Sequence, residues 1–205
     1  MTTTQDVVEH FKKWPLFTTR DVRLWLKPQK RSPNYVKLLL HSLIQKQKIQ
    51  SAGKGYYSAQ DDPIVAGFAF QPFYYGLHYA LTHHRLWTQA TNPVILTTQN
   101  TRRGTREIMG TNFVLRHVSR KLFYGFETIA HYNYWIPVST IEKTLIDFIY
   151  FREKIPAEAR ENLLKQIDRE KLQKLLKKAP AGVRKKVANI MKTATETPHN
   201  KEKNK

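Results

Sequence analysis

The sequence predicts an α+β protein in four parts. These are a helical module closed by a hairpin (residues 1–60), an α+β unit with a small, mostly antiparallel sheet (61–151), basic helices (152–193) and a disordered tail (194–205). Three observations carry this division. The 205 residues have a net charge of +19, split as +8 over residues 1–58, +2 over 59–151 and +9 over 152–205. Apolar residues recur at helical spacing through the first 45 positions, then give way to short β-branched and aromatic runs. Of 24 aromatic residues, 17 fall in 59–151, so a second core lies there. There is no cysteine, which removes disulfide frameworks, thiolate zinc sites and cysteine nucleophiles. No run approaches the ~20 apolar residues of a membrane span, and Met1 to Gln5 does not resemble a signal peptide. A cytoplasmic protein without a membrane partner is expected. The basic ends call for a polyanion, with nucleic acid ahead of acidic lipid or lysine-rich solubility.

The first helix is capped by Thr4 or an earlier threonine, carries Val7, Val8, Phe11 and Trp14, and stops at Pro15. Thr18 or Thr19 caps the second, which bears Val22, Trp25 and Leu26 and ends near Pro28; Asp21 suits its positive end. Ser32-Pro33 opens the third, with serine as cap and proline in the first turn. Its apolar face is Val36, Leu39, Leu40, Leu43 and Ile44.

The opposite face of that helix holds Asn34, Leu38, His41, Ser42 and Gln45, flanked by Tyr35 and Lys37, with no acid. A solvated face ordinarily carries Glu–Lys pairs; this one carries groups that suit base edges. Asn34 would pair with an adenine, and Leu38 would touch a thymine methyl. Lys48 to Gln50 reads as a strand, Ser51 to Gly55 as a turn with Lys54 at its tip, and Tyr56 to Ser58 as the returning strand. Three helices followed by a basic hairpin form a winged helix-turn-helix. The expected duplex-DNA contacts are Ser32, Asn34, Tyr35, Lys37, Leu38, His41, Ser42, Gln45 and Lys54. An adaptor that binds RNA or protein remains the alternative.

Asp61-Asp62-Pro63 breaks the pattern. Residues 72–86 read as a helix opened by Pro72, with Tyr75, Leu77, Ala80 and Leu81 apolar. Strands follow at Pro93–Thr98, Asn112–Ser119 and Tyr132–Val138, with a turn at Tyr124-Gly125-Phe126. Ser139 or Thr140 caps a last helix, and Glu142 three residues after Ser139 suggests a capping box. On that helix Asp147, among Leu145, Ile146 and Phe148, reads as a buried polar anchor. Arg102, Arg103 and Arg106 cluster around Gly104 in the turn after the first strand, as an anion or partner clamp or a plain exposed loop.

Nothing in the sequence points to catalysis, a metal or a cofactor. His83 and His84 are adjacent and diverge by about 100° on a helix, and neither an HxxxH pattern nor a Glu-x-Lys pair occurs. There is no phosphate-binding loop and no Gly-x-Ser-x-Gly.

The runs PFYYGLHYALTHHRLW, NPVILTTQNTRRGTR, KLFYGF and WIPVSTIEKTLIDFIYF resemble the AbiEi family of type IV antitoxins, and with the N-terminal module the resemblance covers residues 4–151. A threonine stands where the family has proline before its Glu-Lys pair. The resemblance implies a transcriptional regulator of a phage-defence toxin–antitoxin pair. It would repress its own promoter and counter a nucleotidyltransferase-like toxin, with no stable toxin complex required.

Residues 157–178 read as one basic helix with Leu163, Leu164, Ile167, Leu172, Leu175 and Leu176, followed beyond Pro180 and Gly182 by a short one with Val183, Val187 and Ile190. DNA backbone, anionic membrane or a partner helix would suit such surfaces, and the lack of Trp and Phe argues against insertion into a membrane.

Overall fold

The computed structural model describes residues 4–196. Helix α1 (Thr4–Phe11) buries Val7 and Phe11, α2 (Thr19–Trp25) buries Val22, and α3 (Pro33–Gln45) buries Val36, Leu39, Leu40 and Leu43. These side chains meet Phe17, Leu26 and Ile49 in one cluster, with the Phe11 and Phe17 rings stacked at 4.5 Å. Thr18 caps α2 in a closed box: its N–H donates to Asp21 Oδ2 at 2.7 Å, and Asp21 N–H donates to Thr18 Oγ1 at 3.2 Å. Ser32 caps α3 by accepting from Tyr35 N–H.

Strands β1 (Phe17–Thr18), β2 (Gln50–Gly53) and β3 (Tyr56–Ser58) form an antiparallel sheet in the order β1-β3-β2. Two-residue β1 has no periodicity to betray it in the sequence; it exists because β3 offers it a partner. Gly53 and Gly55 flank Lys54 with φ of 124° and 80°, which non-glycine residues rarely adopt. Helix α1 ends at Phe11, earlier than expected. Trp14 lies in the following turn, where its N–H bonds Phe11 O, and it is 48% exposed.

The second sheet has six strands: β4 (Phe73–Gly76), β5 (Val94–Thr97), β6 (Gly104–Ile108), β7 (Thr111–His117), β8 (Phe126–His131) and β9 (Tyr134–Ser139). Their order is β6-β7-β5-β4-β9-β8, and the β5–β7 and β4–β9 pairings are parallel. The sheet is therefore larger and more mixed than expected. The main correction falls on residues 72–86. Phe73–Gly76 is a strand buried at all four positions, and only His78–His83 is helical (α4). Flanked by β5 and β9, β4 is covered on both faces, so it needs an unbroken apolar run, and aromatics fit a pleated surface. Strands β6 and β8 lie at the edges. Their alternation is masked by charged and small residues, which left them unread.

Alternate side chains of the sheet enter two cores. Phe73, Tyr75, Ile95, Phe113 and Leu115 face one side, with the 3-10 segment Pro63–Phe70 against them. Tyr74, Val94 and Leu96 face the other, where α5 (Ile141–Phe151) lies. The expected 157–178 helix is two, α6 (Ala157–Gln166) and α7 (Arg169–Leu176). Asp168 breaks it by capping α7, its carboxylate accepting from Glu170 and Lys171 N–H. The expected short helix is α8 (Ala181–Glu196), which takes in residues 194–196 of the expected tail; 197–205 lie outside the described residues. All three pack on α5, and Leu163, Leu172, Val183 and Val187 join the α5-side core. The basic helices thus form a layer over the sheet, lysines outward. No described helix is long and apolar enough to cross a membrane.

The N-terminal module sits on the opposite face. Ala52 of β2 is 1% exposed and belongs to the core of the second sheet, with Leu16 and Tyr56 against it. Ser58 Oγ donates to Pro15 O at 2.9 Å, and Gln60 Nε2 donates to Lys12 O, closing the connection.

Candidate nucleic-acid interface

Helix α3 presents its polar face because its apolar stripe is consumed by the module's core. Ser32, Asn34, Lys37, Leu38, His41 and Gln45 are exposed, and Tyr35 and Ser42 half-buried. Leu38 is 69% exposed, which burial does not explain. The Arg31 guanidinium lies 4.8 Å over the Tyr35 ring, which steadies both beside the first turn. Lys54 is exposed at the tip of the β2–β3 turn.

Sequence reasoning passed over the basic side chains that lead into α3. Arg20 and Arg23 on α2, with Lys27, Lys30 and Arg31 after it, are all exposed. A signal was present: residues 22–60 contain eight Lys and Arg and no acid. The nearest acid, Asp21, is engaged in the Thr18 box. The chain from Val22 to the end of the hairpin is therefore positive with no acid of its own, and the central groups of α3 can both donate and accept hydrogen bonds.

The arginine cluster is rearranged relative to expectation. Arg106 is on strand β6, opposite Phe113, and its Nη2 donates to Arg102 O at 2.7 Å and to Thr101 Oγ1 at 3.3 Å. Arg106 therefore braces the loop that holds Arg102 and Arg103. Those two remain exposed, so only they are free to meet an anion as the clamp reading requires. Strand β6 lies against β2.

The polar residues of α5 are structural in geometry. Lys143 and Asp147 are fully buried and form an ion pair one helical turn apart. Tyr74 OH closes the group, donating to Asp147 Oδ2 at 3.0 Å and accepting from Lys143 Nζ at 2.8 Å. Burial pushes the Lys143 pKa down and that of Asp147 up, and each draws the other back toward its charged form. Burial also raises Tyr74 and takes Tyr124, whose ring lies 5.3 Å from Lys143 Nζ, to about 12. At Gly125, with φ of 73°, an added Cβ would stand 3.1 Å from Lys143 Cβ, so the turn presses directly on the lysine stem.

The expected capping box at Ser139 is absent. Thr140 caps α5, accepting from Lys143 N–H, while Ser139 Oγ bonds Thr144 Oγ1. Glu142 instead accepts from Asp168 N–H at 3.1 Å and stands 3.9 Å from Lys171, joining α5 to the start of α7. His83 and His84 have ring centroids 5.2 Å apart, and His84 Nε2 bonds Ser139 O. No group of three or more His, Asp or Glu is placed to hold a metal among the described residues.

No family model matches the chain, and no curated protein matches it. Among solved structures it is similar to the RV2827C protein of Mycobacterium tuberculosis, with a TM-score of 0.57 and 13% identity, over 93% of this chain and 76% of that one. At that identity the likeness concerns the fold alone, an α+β arrangement shared along almost the whole chain.

Proposed function

We propose that the chain is a DNA-binding transcriptional regulator whose first sixty residues are a winged helix-turn-helix that recognises its own promoter. The carrying observation is the exposed, acid-free face of α3, with Asn34, Leu38, His41 and Gln45 free of contacts that would explain them. In this reading α3 enters the major groove. Asn34 and His41 meet base edges, Leu38 a thymine methyl, and Arg31, Lys37 and Lys54 the phosphates. The protein acts in the cytoplasm as an antitoxin of the AbiEi type, an assignment that rests on the resemblance of residues 4–151.

Fluorescence anisotropy with the upstream duplex and a scrambled duplex tests the regulator. At ~0.2 M salt, where backbone-only binding is strongly weakened, the upstream duplex binds more tightly by tenfold or more. Equal affinities overturn the reading. The antitoxin role has a separate test: co-expression restores growth to cells carrying a nucleotidyltransferase-like toxin of that family, and unrelieved toxicity removes it. Exposure of Leu24 and Leu38, at 55% and 69%, favours one second reading, a protein-binding adaptor. Retention of a cellular protein after nuclease treatment, with no duplex preference, supports that instead.

A further inference from the structure

On the α5 side of the second sheet, away from the N-terminal module, an open cleft of about 620 Å³ lies between α4, the segment 87–92 and the end of α5. That volume falls within the range of small-ligand sites, roughly 300–1,000 Å³. Val94 and Val114, paired in register on β5 and β7, form its apolar floor, and Trp87 lines it half-buried. Its ionisable groups are His78, Arg116 and Glu153, and the exposed Thr91 and Asn92 also line it. Arg116 Nη2 donates to Glu153 Oε1, and the Arg116 side chain is 41% exposed, so its outer N–H groups can still reach a ligand. Glu153 Oε2 stands 3.9 Å from His78 Nδ1, too far for a hydrogen bond, and so remains an acceptor. Burial lowers the His78 pKa, which leaves an uncharged imidazole at neutral pH.

These groups select by exclusion. A simple anion would meet the Glu153 carboxylate, and a simple cation the Arg116 guanidinium. A wholly apolar ligand would strip water from the open Arg116 donors and the Glu153 acceptor without replacing those bonds. What satisfies the set is a flat, neutral ring with a hydrogen-bond donor beside an acceptor on one edge, resting on valine methyls next to an indole. We propose that this cleft binds a nucleobase, with Trp87 as the stacking surface, Glu153 accepting from the base's donor and Arg116 donating to its acceptor. The site is separate from α3 and does not depend on the DNA-binding reading.

The full chain is titrated with adenosine, guanosine, cytidine and uridine, and with benzoate as an anion-only probe, by saturation-transfer NMR, and with inorganic phosphate, a second anion-only probe, by phosphorus-31 line broadening. The same titrations are run on Trp87→Leu and Glu153→Gln, with near-UV circular dichroism to establish that each variant is folded; Trp87→Met, which keeps bulk without a ring, replaces Trp87→Leu if that variant unfolds. At least one nucleoside binds with a Kd below about 1 mM, each folded variant weakens it about tenfold, and the anions do not bind. Absence of nucleoside binding, equal binding of phosphate, or binding unchanged in the folded variants overturns the proposal.

Discussion

Lys143 and Asp147 on α5 meet Tyr74 without any exposure, and Ser139, Thr144 and Glu142 around them are buried and bonded as well. On α3, Asn34, Lys37, His41 and Gln45 stand in solvent beside a chain segment that contains no acid. Around α5 the polar groups thus turn inward and close on one another; along the outer face of α3 they turn outward and stay open. Closed groups hold geometry at a high desolvation cost, so losing one partner is felt throughout the fold. Open groups add little stability and remain available to a ligand. The same residue types hold shape in one region and, in the proposed reading, serve recognition in the other.

The largest expected effect tests the closed side. Asp147→Ala leaves Lys143 buried without its partner and costs about 3–5 kcal/mol in urea unfolding, while Lys143→Met with Asp147→Leu recovers most of that loss. A loss under ~1 kcal/mol would mean the pair is not closed, and the contrast would collapse. Next comes the open side. Asn34→Ala and His41→Ala each lower the preference for upstream over scrambled duplex by about 1–3 kcal/mol, measured by anisotropy, and leave unfolding within ~0.5 kcal/mol. A large stability loss there would place those side chains in the fold's own architecture. Thr18→Ala probes a closed device inside the open module: removing the box costs about 1 kcal/mol in thermal unfolding. The smallest effect belongs to Lys54→Ala. It weakens all duplexes alike and reduces the salt slope by about one, without changing stability.

How much could be read in advance follows the same division. The starts of α2 and α3 were legible because their caps, Thr18 (or its neighbour Thr19) and Ser32, and their apolar stripes are local signals, whereas α2 ends at Trp25, before the expected stop near Pro28. The exposed residues of α3 followed from that stripe. Strand β4 was not legible: PFYYG reads as a helix start until β5 and β9, far away in sequence, bury both its faces. Glu142 has the spacing of a capping box with Ser139, but its partner is the Asp168 amide, 26 residues on. Lys143 gave no sign of burial because lysine is ordinarily solvated, and only Tyr74 and Asp147 together make its position tolerable. Arg106 read as loop because β6 is an edge strand whose exposed Thr105 and Glu107 dilute its alternation. The Trp87–Arg116–Glu153 cleft draws on three separated segments and has no local signature at all.

The seating of Ala52 in the core of the second sheet bears on how such a protein can diversify. The N-terminal module is not a detachable cartridge. A different reading head grafted at residue 60 would bring a hairpin whose inner residue does not match the socket left beside Val65 and Ile108, and the mismatch would be felt in the sheet. Change is cheap on the outward side of α3 and costly on the inward side of the hairpin. Lineages descended from such a chain should therefore alter what they recognise by point substitution rather than by domain exchange, and keep a small residue where the hairpin meets the sheet.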